Sequence, residues 1–340
     1  MKRLVRSLAV LYLAALLALW TFIHFDTGNL WLVTLFLFSP RWAVAAPLII
    51  LLPLTLVVQR RLTPFYLLHG LIIVFPIMDC RVAWSGGSAD SAQPALRVMT
   101  CNLGGGDVNV SRLTSAVRAH RIHVLALQEC SGSVAKSIFE ELGWSHNHLP
   151  KIAIGSCFEL SSMELLARHP PSEYLSAAAV SCDVLLPLGS DPVEDPEGPQ
   201  TDTTAVRVVA VHFPTFRPAL ERARSLDVAA GAAMEQLGTE YSDVVRTVPP
   251  LLTDSDLPMI ILGDFNVPVE STFYRRYWSN YRNTLSTCGS GFRYTKHTQL
   301  HGIRIDHVLT DDRWSAMNAI VGPAIGSDHR PVIAELSLHP

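Results

Sequence analysis

Residues 259–266 read MIILGDFN: four apolar residues, a glycine, then an aspartate and an asparagine on either side of a phenylalanine. A short run of this kind closed by Gly-Asp is the pattern of a strand buried on both faces that stops at a tight turn. The side chains just past a strand end sit at the rim of a sheet, so Asp264 and Asn266 are predicted at the edge of a core. The arrangement recurs along the chain. LRVMTC (96–101) runs into Asn102, VLALQ (124–128) into Glu129 and VRVVAV (206–211) into His212, while Asp306 lies within GIRIDHVL (302–309) and Asp328-His329 precede PVIAELSL (331–338).

Strands are predicted at 96–101, 122–128, 164–167, 178–186, 205–211, 259–262, 303–309 and 331–338, with helices at 110–121 and 217–237. This mixture indicates a layered α/β or α+β domain. SGGSADSAQP (85–94) reads as a flexible linker and the acidic, proline-rich residues 189–204 as a solvated loop.

Carboxylates, amides and histidines converging on one rim, with no cysteine cluster, suit a hard divalent cation, Mg²⁺ or Mn²⁺, and a phosphate ligand. Six motifs occur in order: TCNL (100–103), LQE (127–129), VHFP (211–214), GDFN (263–266), RIDHVL (304–309) and SDHRP (327–331). Together they resemble the endonuclease/exonuclease/phosphatase superfamily over essentially all of the chain after residue 95. The resemblance implies a four-layer sandwich of two mixed β-sheets with helices outside. It also implies roles. Glu129 is the carboxylate ligand of Mg²⁺, Asn102 stands beside it, and Asp328 serves the metal or braces the same region. Asp264 orients or deprotonates the attacking water, with Asn266 holding it. His329 contacts the scissile phosphate with its tautomer fixed by Asp306, and His212 stabilises phosphoryl charge. Either His329 or Asp264 is the general base.

Other signals carry less. His307 is expected on the opposite strand face from Asp306, and His297 and His301 are expected as solvated loop residues. Gly104-Gly105-Gly106 is followed by no Gly-Lys-Ser/Thr, so it is not a phosphate-binding P-loop. Ser327 lies outside any G-x-S-x-G elbow. Where the inositol-phosphatase branch usually carries Trp-Cys-Asp-Arg, this chain has Arg304-Ile305-Asp306-His307, which argues against that branch.

Composition separates the two ends of the 340-residue chain, which is 49% hydrophobic and 17% charged. Seven basic and three acidic residues precede Pro94; 20 basic and 27 acidic residues follow, a net −7. A disordered chain, a disulfide-stapled miniprotein and a strongly basic nucleic-acid binder are excluded. Uncharged apolar runs at 8–25, 43–58 and 62–78, with tryptophans near their ends, predict about three transmembrane helices within residues 1–84. A cleaved signal peptide explains only the first of them. With three spans, Lys2, Arg3 and Arg6 share the cytoplasmic face with Arg60 and Arg61, and the domain at 95–340 is extracytoplasmic; with two it is cytosolic. The resemblance extends to bacterial membrane-anchored members, hence an inner-membrane location.

The expectation is a membrane-anchored, divalent-metal-dependent phosphoesterase acting on a phosphodiester. A nuclease acting on DNA or RNA and a lipid phosphodiesterase or phosphatase of sphingomyelinase type compete within that chemistry. From another class, a catalytically idle membrane-bound binding module is opposed by the intact set of site residues.

Overall fold

The computed structural model describes residues 1–25, 30–82, 95–104, 108–170, 176–187, 203–253 and 255–339. The expected linker, Gly105 and Gly106, and most of the acidic loop lie outside the described residues. Two six-stranded mixed sheets form the domain. In spatial order the first is β13 (Trp314–Val321), β14 (Val332–Leu338), β1 (Ala95–Asn102), β2 (Val124–Cys130), β4 (Lys151–Ser156) and β3 (Ser145–Leu149). The second is β5 (Glu164–Arg168), β6 (Ala177–Pro187), β7 (Thr203–His212), β8 (Met259–Asp264), β12 (Asp306–Thr310) and β9 (Arg282–Asn283). A small ribbon joins β10 (Lys296–His297) to β11 (Gly302–Ile303).

Successive side chains of a strand point to opposite faces, and this alternation builds four layers. Val98, Val124 and Ala126 of the first sheet meet Val208, Ile260 and Leu262 of the second in the central core. Met99, Leu125 and Leu127 face outward onto Leu113, Val117 and Phe139 of helices Val110–Ala119 and Gly132–Leu142. Val209, Val211 and Ile261 face outward onto Met234, Tyr241 and Val245 of helix Ala230–Val245. The expected sandwich of two mixed sheets with flanking helices is present.

Local differences have local causes. The helix expected over 217–237 is two, Arg217–Arg224 and Ala230–Val245. Leu226 takes a left-handed φ of 55°, and Asp227 Oδ1 accepts from Ala229 N at 2.9 Å, which starts a new turn. The strand expected over 303–309 is also split. Thr295 Oγ1 accepts from the backbone N–H of both Ile305 and Asp306, so the chain leaves the ribbon and enters β12 at Asp306.

Before the domain, helices Lys2–Phe25 and Arg41–Leu62 are long and apolar enough to cross a membrane, and only 17% and 6% of their apolar windows are buried. Core helices of a soluble protein would be mostly covered. The third apolar run forms a shorter helix, Phe65–Ile77, with Pro76 inside a π-helical turn. At 1.5 Å per residue it reaches about 20 Å, shorter than the roughly 30 Å of a bilayer core. This segment docks on the domain. Arg41 Nη1 lies 2.6 Å from Glu270 Oε1, and Arg293 and Arg304 each reach Asp79 Oδ2 at 2.8 Å.

Candidate active site

Strand direction gathers the site. β1 and β2 run parallel, as do β7 and β8, so the C-terminal ends of both pairs carry Asn102, Glu129, His212 and Asp264 to one edge of the sandwich. β12 is antiparallel to β8 with Asp306 opposite Asp264, which brings its first residue to the same edge. The bulge between Gln128 and Cys130 and a φ of 51° turn Glu129 out of its sheet. Gly263 has φ 148°, and a Cβ there would stand 2.0 Å from the Val211 carbonyl oxygen; only glycine lets β8 end in this turn.

Seven of the eight expected residues gather at this edge in two linked groups, and the eighth, Asp328, lies beside them with Oδ1 3.8 Å from His329 Nε2. In the buried group, His329 Nδ1 lies 3.0 and 2.9 Å from the two Asp306 carboxylate oxygens. Its Nε2 faces Lys296 Nζ at 2.8 Å and Asp264 Oδ2 at 3.9 Å. Asp264 Oδ1 accepts from Asn266 N, and Asn266 Nδ2 donates to the Phe213 carbonyl, each at 2.8 Å. In the more open group, Asn102 Nδ2 bridges Asp264 Oδ2 at 2.9 Å and Glu129 Oε1 at 3.1 Å, and His212 Nε2 lies 3.6 Å from Glu129.

The two buried aspartates are driven apart electrostatically. Burial first, and the neighbouring Asp306 second, raise the Asp264 carboxyl to about 7. Burial also opposes ionisation of Asp306, but the charge of His329 and its hydrogen bond outweigh it and lower the pKa. His329 is pressed down by burial yet raised overall by Asp306 and Asp264. Carboxyl groups pushed in opposite directions are the usual means of holding one acid–base group beside one fixed charge.

Asp264, Asp306 and His329 present ligand atoms all within 4.8 Å of one another, a cluster capable of coordinating a divalent metal. The sequence had suggested these three for acid–base work and Glu129, Asn102 and Asp328 for the metal. Asp328, expected to serve the metal or brace the same region, places its carboxylate in ion pairs with Lys296 at 3.0 Å and Arg217 at 3.6 Å. The Glu129–Asn102 set also fits a hard cation. Its donors are oxygens, and a Cβ on Gly104 would stand 2.0 Å from Glu129 Oε2, so the glycine leaves the space that the carboxylate occupies. Gly104→Ala is therefore expected to raise the Mg²⁺ concentration for half-maximal activity by about 10–100-fold, the scale of disturbing a ligand's support. A metal titration of activity checks this, and an unchanged requirement would remove Glu129 from the metal site.

Two further residues stand at the site: Lys296, which no motif marks, and Ser327, which the sequence raises only to set aside as a nucleophile. Ser327 Oγ lies within hydrogen-bonding distance of the carbonyls of Asn102 and Gly104 and accepts from His329 N, so it ties the histidine loop to the end of β1. The ribbon sets Lys296, whose sequence neighbourhood has no strand period; its only signal was being one of three lysines after Pro94. His307 is fully buried, with Nε2 3.0 Å from the Val267 carbonyl and its pKa lowered to about 3 by burial, away from the site. His301, expected in solvent, instead bonds the Phe38 carbonyl at 2.9 Å.

A family model described as the Endonuclease/Exonuclease/phosphatase family matches residues 99–329. The chain belongs to that family. Among solved structures, it is similar to the 3′–5′ exonuclease NExo from Neisseria meningitidis, at 17% identity and a TM-score of 0.51, covering 71% of this chain and 100% of that one. It is also similar to an endonuclease/exonuclease/phosphatase family protein from Bacteroides thetaiotaomicron, at 14% identity and a TM-score of 0.47, covering 72% and 95%. No curated protein matches. The Neisseria likeness shows the shared fold, and family membership together with the Asp264–Asp306–His329 cluster supports a metal-dependent phosphoesterase or nuclease.

Proposed function

We propose that the protein is a membrane-anchored phosphoesterase, dependent on Mg²⁺ or Mn²⁺, that hydrolyses a phosphodiester by attack of water. The observation that carries this reading is the buried cluster of Asp264, Asp306 and His329, with ligand atoms all within 4.8 Å of one another at the edge where Asn102 and Glu129 also end, in a chain of this family. Asp264 takes the proton of the attacking water, and Asn266 beside it fixes that water's approach. Asp306 holds His329 with its Nδ1 proton inward and its Nε2 toward the phosphate, and Lys296 and His212 offset phosphoryl charge. Glu129 and Asn102 would hold the metal, with Asp328 bracing Lys296. A bound Mg²⁺ would supply charge neutralisation at the phosphoryl oxygens. The test is hydrolysis of bis(4-nitrophenyl) phosphate by the full-length protein in detergent, with Mg²⁺ and with chelator. Activity that survives chelation overturns the metal dependence.

Action on nucleic acid is the second reading, because the similar Neisseria protein NExo is described as a 3′–5′ exonuclease and, in a structure bound to a product DNA hairpin, as a 3′ phosphatase. Against long duplexes stands the net −7 of the chain after Pro94, since nucleic-acid affinity comes largely from cations neutralising phosphates. Filter binding of a long duplex with Ca²⁺ in place of Mg²⁺ is expected to show weak retention. Sub-micromolar binding with a steep salt slope would favour the nuclease.

For the topology we propose an extracytoplasmic domain. Lys2, Arg3 and Arg6 begin one spanning helix and Arg60 and Arg61 end the other, whereas the opposite ends meet the domain through Ile23 to Arg275 and Arg41 to Glu270. By the positive-inside rule the basic end is cytoplasmic, and the chain returns from Arg61 to Asp79 at the domain through Phe65–Ile77, a third, shorter crossing that packs on the first helix with His69 Nε2 3.1 Å from the Ala9 carbonyl. C-terminal reporter fusions test this, and a fusion active only in the cytoplasm overturns it.

A further inference from the structure

The cleft in front of Asn266, Lys296 and Asp328, about 790 Å³, is not built by the catalytic domain alone. One wall is Leu35, Phe38 and Pro40 from the N-terminal segment, and facing residues include Leu220 and Leu300. Pro40 lines the cleft, and the next residue, Arg41, begins a helix long and apolar enough to cross a membrane. The cleft and the spanning helix are thus adjacent along the chain and in space. Arg217 and Arg224 also line the cleft, so it combines an apolar wall with cations beside the catalytic groups.

The surroundings carry unusually bare apolar side chains. Leu300 is 71% exposed, and its carbonyl accepts from Trp42 Nε1 at 3.1 Å, on the first turn of that helix. Leu226 and Val228 are 90% and 102% exposed in the turn between the cleft-lining helix Arg217–Arg224 and the helix whose Gly231 lies against Trp31. A bilayer surface would cover these side chains.

Building on the phosphoesterase reading, we propose that the substrate is a membrane lipid carrying a phosphodiester headgroup, with its acyl part against the Leu35–Phe38–Leu220–Leu300 wall and its phosphate drawn in by Arg217, Arg224 and Lys296. In the reaction one P–O ester bond breaks. Water supplies hydroxide to phosphorus and a proton to the leaving oxygen, giving a phosphomonoester and an alcohol with no change of oxidation state.

The experiment places the full-length protein in proteoliposomes of phosphatidylethanolamine and phosphatidylglycerol with Mg²⁺. Phosphomonoester release from these lipids is compared with hydrolysis of bis(4-nitrophenyl) phosphate and a single-stranded oligonucleotide. Lipid is expected to turn over fastest, and Leu35→Ser and Leu300→Ser are each expected to lower the ratio of lipid to soluble-diester turnover by about tenfold, the scale of losing several methylenes of apolar contact. Thermal unfolding confirms that each variant is folded; Leu300, on the surface, is the safer of the two. Faster cleavage of the oligonucleotide or the soluble diester, or an unmoved ratio in a folded variant, overturns the lipid assignment and leaves the phosphoesterase standing. Hydrolysis of none of the three probes overturns both.

Discussion

Replacing Asp264 by asparagine, or His329 by glutamine, is expected to cut phosphodiester turnover at least about a hundredfold, the usual scale for losing a positioned acid–base group. Both substitutions nearly preserve volume, and this matters at a site where both side chains are buried to 1% exposure. Alanine at 329 would confound the measurement. It would leave the Asp306 carboxylate buried without the imidazole that it faces at 2.9 Å, and an uncompensated buried charge is itself destabilising. Asp264→Asn keeps an acceptor for Asn266 N and removes only the group that can take a proton. Glu129→Gln should behave differently, with the Mg²⁺ requirement rising more than the saturated rate falls, because a charged oxygen ligand is lost. Turnover is measured on bis(4-nitrophenyl) phosphate at saturating metal. Near wild-type turnover in a folded Asp264→Asn variant would exclude this carboxyl as the base.

Most of the central strands, and the polar residues at their rim, were legible in the sequence for one physical reason. Strands buried on both faces read as unbroken apolar runs, and the polar residue that stops each run marks the rim. MIILGD became β8, ALRVMTCN β1 and VLALQEC β2, each with its polar terminator at the shared edge. Edge strands have no such signature. β3 is SHNHL, half-buried throughout, and β13 carries Ser315, Asn318 and a bulge. Neither contrasts with a loop, and no strand is expected there from sequence; the edge strand β5 was expected, whereas the buried interior strand β4, KIAIGS, was not, its apolar run being only three residues long.

The second illegible layer is pairwise. Asp79 meets Arg293 and Arg304, and Arg41 meets Glu270, across more than 200 residues of chain. Each is an ordinary charged residue in its own neighbourhood, and only the fold makes the pairs. Lys296 belongs with them. Its ammonium is aimed by a two-residue ribbon that hydrophobic period cannot reveal. The metal assignment shows the same limit. Residue types announced carboxylates and histidines at one rim, but which of them cluster within 4.8 Å depends on side-chain direction.

Cutting the link between the long apolar N-terminal helices and the domain is expected to have the largest effect on stability. Arg41 reaches both carboxylate oxygens of Glu270, with the two side chains 12% and 9% exposed. Burial works against ionisation of Glu270, yet the Arg41 charge and its hydrogen bonds prevail and lower the carboxyl from 4.5 to about 2. A lowered carboxyl stabilises the folded state only where the unfolded one is also ionised. This contribution is therefore complete above about pH 4.5 and lost as pH falls toward about 2. Removing one partner strands the other's charge, so Glu270→Ala should cost about 3–5 kcal/mol, whereas the double replacement Arg41→Met with Glu270→Leu should recover much of that loss. Unfolding of the full-length protein in detergent at pH 7 measures both. Since Pro40 lines the cleft next to Arg41, Glu270→Ala should also expose residues 35–40 to limited proteolysis before the domain unfolds. If Glu270→Ala unfolds within about 1 kcal/mol of wild type, the range of a solvent-exposed pair, the contact is a surface one and the apolar helices are not locked to the domain.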